Sequence, residues 1–123
     1  MSTADHPYSP AAVAGGMVYV SGALSVDADG QPVEGRRPAL DAAMARLSER
    51  LSTVGASLDD LVRATYFVTD ITLRDEANRQ YLDLFAAPRP ARTFIEVSRL
   101  PYGATVEIEA VATVPTKAQA ETS

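Results

Sequence analysis

The sequence predicts an α+β domain with the order β-β-α-β-α-β-β, two helices packed on one face of a mixed sheet. Three observations lead there. Runs of β-branched and aromatic residues alternate with two stretches whose apolar residues recur every three or four positions. The last two extended segments follow one another with no helix between them. The final one alternates strictly, with Val106, Ile108, Ala110, Ala112 and Val114 on one side.

The elements follow in order. Met17-Val18-Tyr19-Val20-Ser21 reads as a strand entered through Gly15-Gly16. Asp27-Ala28-Asp29-Gly30 is a turn signal, which predicts a short second strand near Val33. From Arg37 to about Val54 the period is helical, with Leu40, Met44, Leu47, Leu51 and Val54 on one stripe and Gly55 as the stop. Leu61 to Val68 is extended, placing Val62, Ala64, Tyr66 and Val68 on one face. Thr72-Leu73-Arg74-Asp75 reads as a capping box, with Glu76 adding negative charge to the first turn. The helix it opens aligns Leu73, Ala77, Tyr81, Leu84 and Phe85 and ends before Pro88. Strands at 92–98 and 105–114 close the domain.

Length and composition bound the chemistry. The 123 residues suit a single domain, here 7–114, with a tail at 115–123 that carries no large apolar side chain and is expected to fray. Sixteen acidic against eleven basic residues give a net charge of −5, which speaks against nucleic acid and anionic membranes as partners. No apolar run approaches the roughly 20 residues of a membrane helix. Met1 to His6 lacks a secretory signal pattern, so a cytoplasmic location is expected. With no cysteine, thiolate catalysis and thiolate metal ligation are excluded. The single histidine, His6, is expected to be a solvated terminal residue. Carboxylate recognition by arginine and acid/base work by carboxylates remain.

The last two strands carry the candidates. The face of the final strand opposite its apolar side holds Glu107, Glu109 and Val111. In the strand before it, Arg92, Phe94, Glu96 and Ser98 alternate with Thr93, Ile95 and Val97, and the first set is expected to share the outer face with Glu107. With Val111 and Phe94 beside charges, that face fits a partly buried subunit interface. Two readings of Arg92 and Glu107 stand at this point. They form a cross-strand ion pair on a solvated face, or they line a cleft in which a guanidinium binds a substrate carboxylate and a carboxylate positions water.

From Pro7 to Val114 the chain resembles the RidA family (YjgF/YER057c/UK114). The matching segments are Pro7-Tyr8-Ser9, Val18-Tyr19-Val20-Ser21-Gly22, Gly55-Ala56-Ser57-Leu58-Asp59-Asp60-Leu61-Val62 and Phe67-Val68-Thr69-Asp70. Asn78-Arg79-Gln80-Tyr81, Pro90-Ala91-Arg92-Thr93, Arg99-Leu100-Pro101 and Val106-Glu107-Ile108-Glu109-Ala110 continue the match. The resemblance implies a chorismate-mutase-like fold, a homotrimer around a central β-barrel, and clefts between subunits. It implies hydrolysis of enamine/imine intermediates such as 2-aminoacrylate to 2-oxo acids and ammonia, without metal or organic cofactor.

By position, the resemblance makes Arg92 the carboxylate-binding residue and Glu107 the acid that orients water. It makes Tyr8 a cleft wall, Ser21-Gly22 a donor loop, and Asn78 a helix residue near a neighbouring subunit's cleft. Interface packing for Tyr8 and Asn78 and strand termination for Ser21-Gly22 are the alternatives, while Glu109 is expected to be structural. Three departures stand out. Ala23-Leu24-Ser25 replaces a Gln-aliphatic-Pro run, Phe94 replaces a small residue, and Pro10 replaces a glutamine. They leave the arginine and the acid in place and are expected to alter the cleft walls, Phe94 by narrowing the cleft. A deaminase of small imines is the first expectation. A relative acting on a bulkier imine, or a non-catalytic carboxylate-binding trimer, is the alternative.

Overall fold

Two helices lie on one face of a five-stranded sheet in the computed structural model, which describes residues 6–115. The expected tail falls outside the described residues from position 116 onward. The elements are β1 (Ala11–Ala14), β2 (Met17–Leu24), α1 (Arg36–Ser52), β3 (Leu61–Val68), α2 (Arg74–Leu84), β4 (Ala91–Glu96) and β5 (Val106–Thr113). The sheet order is β1-β2-β5-β3-β4. β3 and β4 run parallel and every other neighbouring pair is antiparallel. No helix among the described residues is long and apolar enough to cross a membrane.

The order of element types matches the expectation, but its first two strands differ. β1 is Ala11–Ala14, joined to β2 by a hairpin through Gly15-Gly16. Three alanines and a valine carry too little side chain to announce a strand. The strand expected near Val33 is only an isolated bridge between Val26 and Pro32, after a turn in which Asp27 caps the amides of Asp29 and Gln31.

The core lies between the sheet and the helices. Leu40, Met44, Leu47 and Leu51 of α1 are buried against Val18, Val20, Ile108, Ala110 and Ala112. Each fully buried leucine contributes about 1.5–3 kcal/mol relative to exposure. α1 begins after Gly35 (φ 94°), where Pro38 already fills the space beside the backbone. α2 buries Ala77 and Tyr81, with Leu73 before it and Phe85 after it, while Leu84 points out.

Two local expectations are corrected. A short 3-10 turn, Ile71–Leu73, precedes α2, and Asp70 caps it by accepting from the Thr72 amide at 2.9 Å; Thr72 does not head the helix. In β3 the pairing with β5 shifts between Leu61 and Arg63, so Leu61 is buried and Val62 is exposed. An extra residue inverts the alternation on one side of a bulge.

Candidate functional site

A cleft of about 560 Å³ opens at the free edge of β2. β1 pairs with β2 only as far as Val20, and the β2–β5 register shifts between Val20 and Ala23. Ser21 and Gly22 therefore bulge out of the ladder. The Ser21 hydroxyl donates to the Ser9 carbonyl at 2.7 Å and its amide donates to the Pro10 carbonyl at 3.0 Å. These bonds hold the Tyr8 loop over the cleft, with His6 stacked on the Tyr8 ring at 4.9 Å. His6 is thus part of the wall and not a free terminal residue.

Glu107 enters the same cleft from β5. A Cβ at Gly22 would lie 2.6 Å from its Oε2 and 2.8 Å from its carboxyl carbon. Gly22 is needed for this close approach, since its φ is not in the left-handed region. Burial pushes the Glu107 carboxyl above its ordinary range; the Glu109 charge adds to this and Arg50 opposes it. Such a carboxyl is poised to exchange a proton nearer neutrality than a solvated one. Glu109 itself is exposed.

Arg92 belongs to a second group. The in-register pairs Ala64–Arg92 and Tyr66–Phe94 put Arg92 and Phe94 on the face that carries buried Ala64 and Tyr66, the helix face. The Arg92 guanidinium carbon stands 5.3, 5.0 and 5.3 Å from the ring centres of Tyr66, Tyr81 and Phe94. Its Nη2 donates to Asn78 Oδ1 of α2, and its Nη1 is buried without a hydrogen-bond partner. Tyr66 closes the inner side, donating to Gln80 at 2.7 Å, and Gln80 donates to Asp41 at 3.0 Å. Burial pushes the Tyr66 phenol far up, so it stays a neutral donor.

This corrects the expected juxtaposition. Arg92 and Glu107 do not share a face or sit on adjacent strands, because β3 lies between β4 and β5. Two strand spacings, about 10 Å, and an offset of three residues along the strands separate their backbones, and their side chains leave opposite sides of the sheet. Within one chain Tyr8, Ser21, Gly22 and Glu107 come together, Arg92, Asn78 and Phe94 come together, and the two sets stay apart. Phe94 packs on Tyr66 at 5.7 Å beneath the arginine and does not enter the Glu107 cleft.

The loop departures also change meaning. Ala23 is fully buried, so the position of the absent amide faces the core and not the cleft. Ser25, also fully buried, accepts from the Val106 amide at 3.1 Å while its own amide donates to the Val106 carbonyl at 2.9 Å. It extends the β2–β5 connection that keeps Leu24 opposite Glu107.

Two arginines and a tyrosine are among the wall residues that sequence reasoning missed. Arg46 and Arg50 line the cleft from α1, and Tyr102 lines it from the loop before β5 with a left-handed backbone (φ 62°). One signal was available for Arg50: it falls three residues after Leu47 and four before Val54, on the apolar stripe. No cluster of metal-ligating side chains occurs among the described residues.

The Endoribonuclease L-PSP family matches residues 2–114 of the chain. A RutC family protein of Pyrococcus abyssi is 33% identical over 108 residues, covering 86% of this chain and 85% of that one. The 2-iminobutanoate/2-iminopropanoate deaminase of Bos taurus is 36% identical over 108 residues, covering 86% and 79%. The crystal structure of RidA from the Antarctic bacterium Psychrobacter sp. superposes with a TM-score of 0.82 at 29% identity, covering 91% of this chain and 92% of that one. A family match over nearly the whole chain, relatives above 30% identity and a shared fold together establish that the chain belongs to the Endoribonuclease L-PSP family, the group of RidA and its imine-deaminase relatives.

Proposed function

We propose that the protein hydrolyses enamine/imine intermediates of 2-amino acids to 2-oxo acids and ammonia, at sites shared between subunits of a homotrimer. The observation that carries this reading is the buried, unpartnered Nη1 of Arg92. A guanidinium held by Asn78 and three rings, with a donor left over, is prepared for an incoming carboxylate. Its complement, Glu107 in a walled cleft, lies on the other side of the sheet, so one chain supplies two half-sites. Tyr19, at 51% exposure, and Ile95, at 40%, lie with half-buried Val111 on the helix-free face, where a second copy would cover them.

In this mechanism Arg92 of one subunit holds the substrate carboxylate and Glu107 of the next faces the imine carbon. The enamine first tautomerises to the imine. Glu107, as carboxylate, takes a proton from water while the water oxygen bonds to the imine carbon and the C=N π electrons move to nitrogen. The proton then passes to the amine of the carbinolamine. Glu107 then takes the hydroxyl proton and passes it to the amine, the C–N bond breaks, and ammonia leaves as the oxygen closes to the ketone. A net charge of −5 favours a small carboxylate over a polyphosphate chain as ligand. The name carried by the Bos taurus relative agrees with this chemistry.

The test follows 2-oxo acid release from a PLP-dependent dehydratase that makes 2-aminocrotonate, with and without the protein. Acceleration is expected; none from correctly folded protein would end the small-imine reading and leave a bulkier imine as the substrate. Shared sites make a second prediction. Coexpressed Arg92→Ala and Glu107→Gln chains, each inactive alone, should recover about a quarter of wild-type activity, because each site draws its arginine and its acid from different chains. No recovery in verified mixed oligomers would place both residues in one chain's site.

Gly22→Ala supplies a third. The new methyl overlaps the Glu107 carboxyl, which can swing aside, so the fold should lose less than about 1 kcal/mol. Turnover should fall about tenfold or more as the acid leaves its position. Unfolding midpoints and kcat, measured together, check the split.

A further inference from the structure

We infer that the cleft binds a second carboxylate through Arg50, so that the substrate is a dicarboxylic 2-imino acid. This rests on the deaminase reading for its reaction, but not for the binding event. Arg50 sits on the sheet-facing stripe of α1 beside Leu51 and is only 7% exposed. Its Nε is buried with no hydrogen-bond partner, and no ion pair reaches its guanidinium among the described residues. Its only ring contact among them is with Tyr8, at 5.7 Å.

A cation taken out of water without a paired acceptor is costly, and an aliphatic residue would suit that stripe better. Glu107 is not the missing counter-ion. The two line one cleft without forming an ion pair, and burial keeps the Glu107 carboxyl raised despite Arg50. Arg46, one helical turn earlier, brings a second positive charge to the same wall. An imine with a methyl or ethyl side chain has nothing to offer these groups. An imine with a terminal carboxylate pairs with Arg50 at the Glu107 end of the cleft, while Arg92 of the neighbouring subunit holds the first carboxylate.

Two probes of equal chain length isolate the point: 2-oxoglutarate and 2-oxopentanoate differ in the terminal carboxylate alone. In calorimetric titration of the wild-type oligomer, 2-oxoglutarate is expected to bind about tenfold tighter or better. Arg50→Met should abolish the difference. The imines generated in situ from glutamate and norvaline by an amino acid oxidase should show the same preference in kcat/KM, lost in Arg50→Met mainly through KM. Arg50→Met should also melt no lower than wild type, since it removes a buried unpaired charge. Arg50→Lys keeps the charge and should retain part of the preference, which leaves a folded variant to read should the methionine fail to fold.

Equal binding of the two oxo acids, or a preference that survives in Arg50→Met, overturns the inference while leaving deamination intact. Arg50-dependent binding of 2-oxoglutarate with no turnover of either imine supports the inference and overturns the deaminase reading instead.

Discussion

Replacing Arg92 by alanine is expected to lower kcat/KM for imine hydrolysis about 100-fold or more. A charge-assisted hydrogen bond to a carboxylate is worth about 1.5–3 kcal/mol, and the guanidinium can supply two. Arg92→Lys should restore little. The rings of Tyr66, Tyr81 and Phe94 surround a planar group, and an ammonium lacks both the flat face and the fork. The measurement is 2-oxo acid release with the dehydratase held constant, on protein shown to keep its oligomeric state. Full activity in Arg92→Ala would remove the carboxylate clamp from the mechanism. Asn78→Ala should cost less, because it loosens the guanidinium without removing it.

Glu107→Gln is expected to lower kcat about 10²- to 10⁴-fold while leaving binding of the 2-oxo acid product in place. The wild-type rate should rise with pH through the Glu107 titration, at a pH above the usual carboxylate range, because burial raises this group. The sign for stability runs the other way. A carboxyl whose pKa is higher folded than unfolded binds protons more readily in the folded state. Its favourable contribution is full below the unfolded pKa, about 4.3, and is lost as pH rises through the folded one. Glu107→Gln should therefore unfold at higher urea than wild type at pH 7, with the two midpoints converging near pH 4. Partial exposure keeps the gap small. A glutamine variant less stable at pH 7 would show that the carboxylate is held by favourable contacts.

Local pattern decided most of the fold. Leu40, Met44, Leu47 and Leu51 declared α1, and the alternation from Val106 to Ala112 declared which face of β5 is buried. β1 stayed illegible because Ala11-Ala12-Val13-Ala14 has no strand-forming signature until Met17–Val20 pairs with it. Val62 was placed on the wrong face because a bulge is a property of pairing, invisible in the alternation itself. The candidate residues Arg92, Glu107, Tyr8, Ser21, Gly22 and Asn78 were legible through their motifs. Arg50 and Tyr102, which carry no motif, were not.

By itself the sequence determined both helices, the buried face of β5 and the residue types able to meet a carboxylate, since all of these follow from spacing along one chain. Only the tertiary structure decided where they meet. Sheet order does not follow chain order: β4 lies parallel beside β3 and not against β5, which moves Arg92 to the helix face and parts it from Glu107. Backbone hydrogen bonds between segments distant in sequence set that order. The same long-range packing buries the Arg50 guanidinium without a counter-ion.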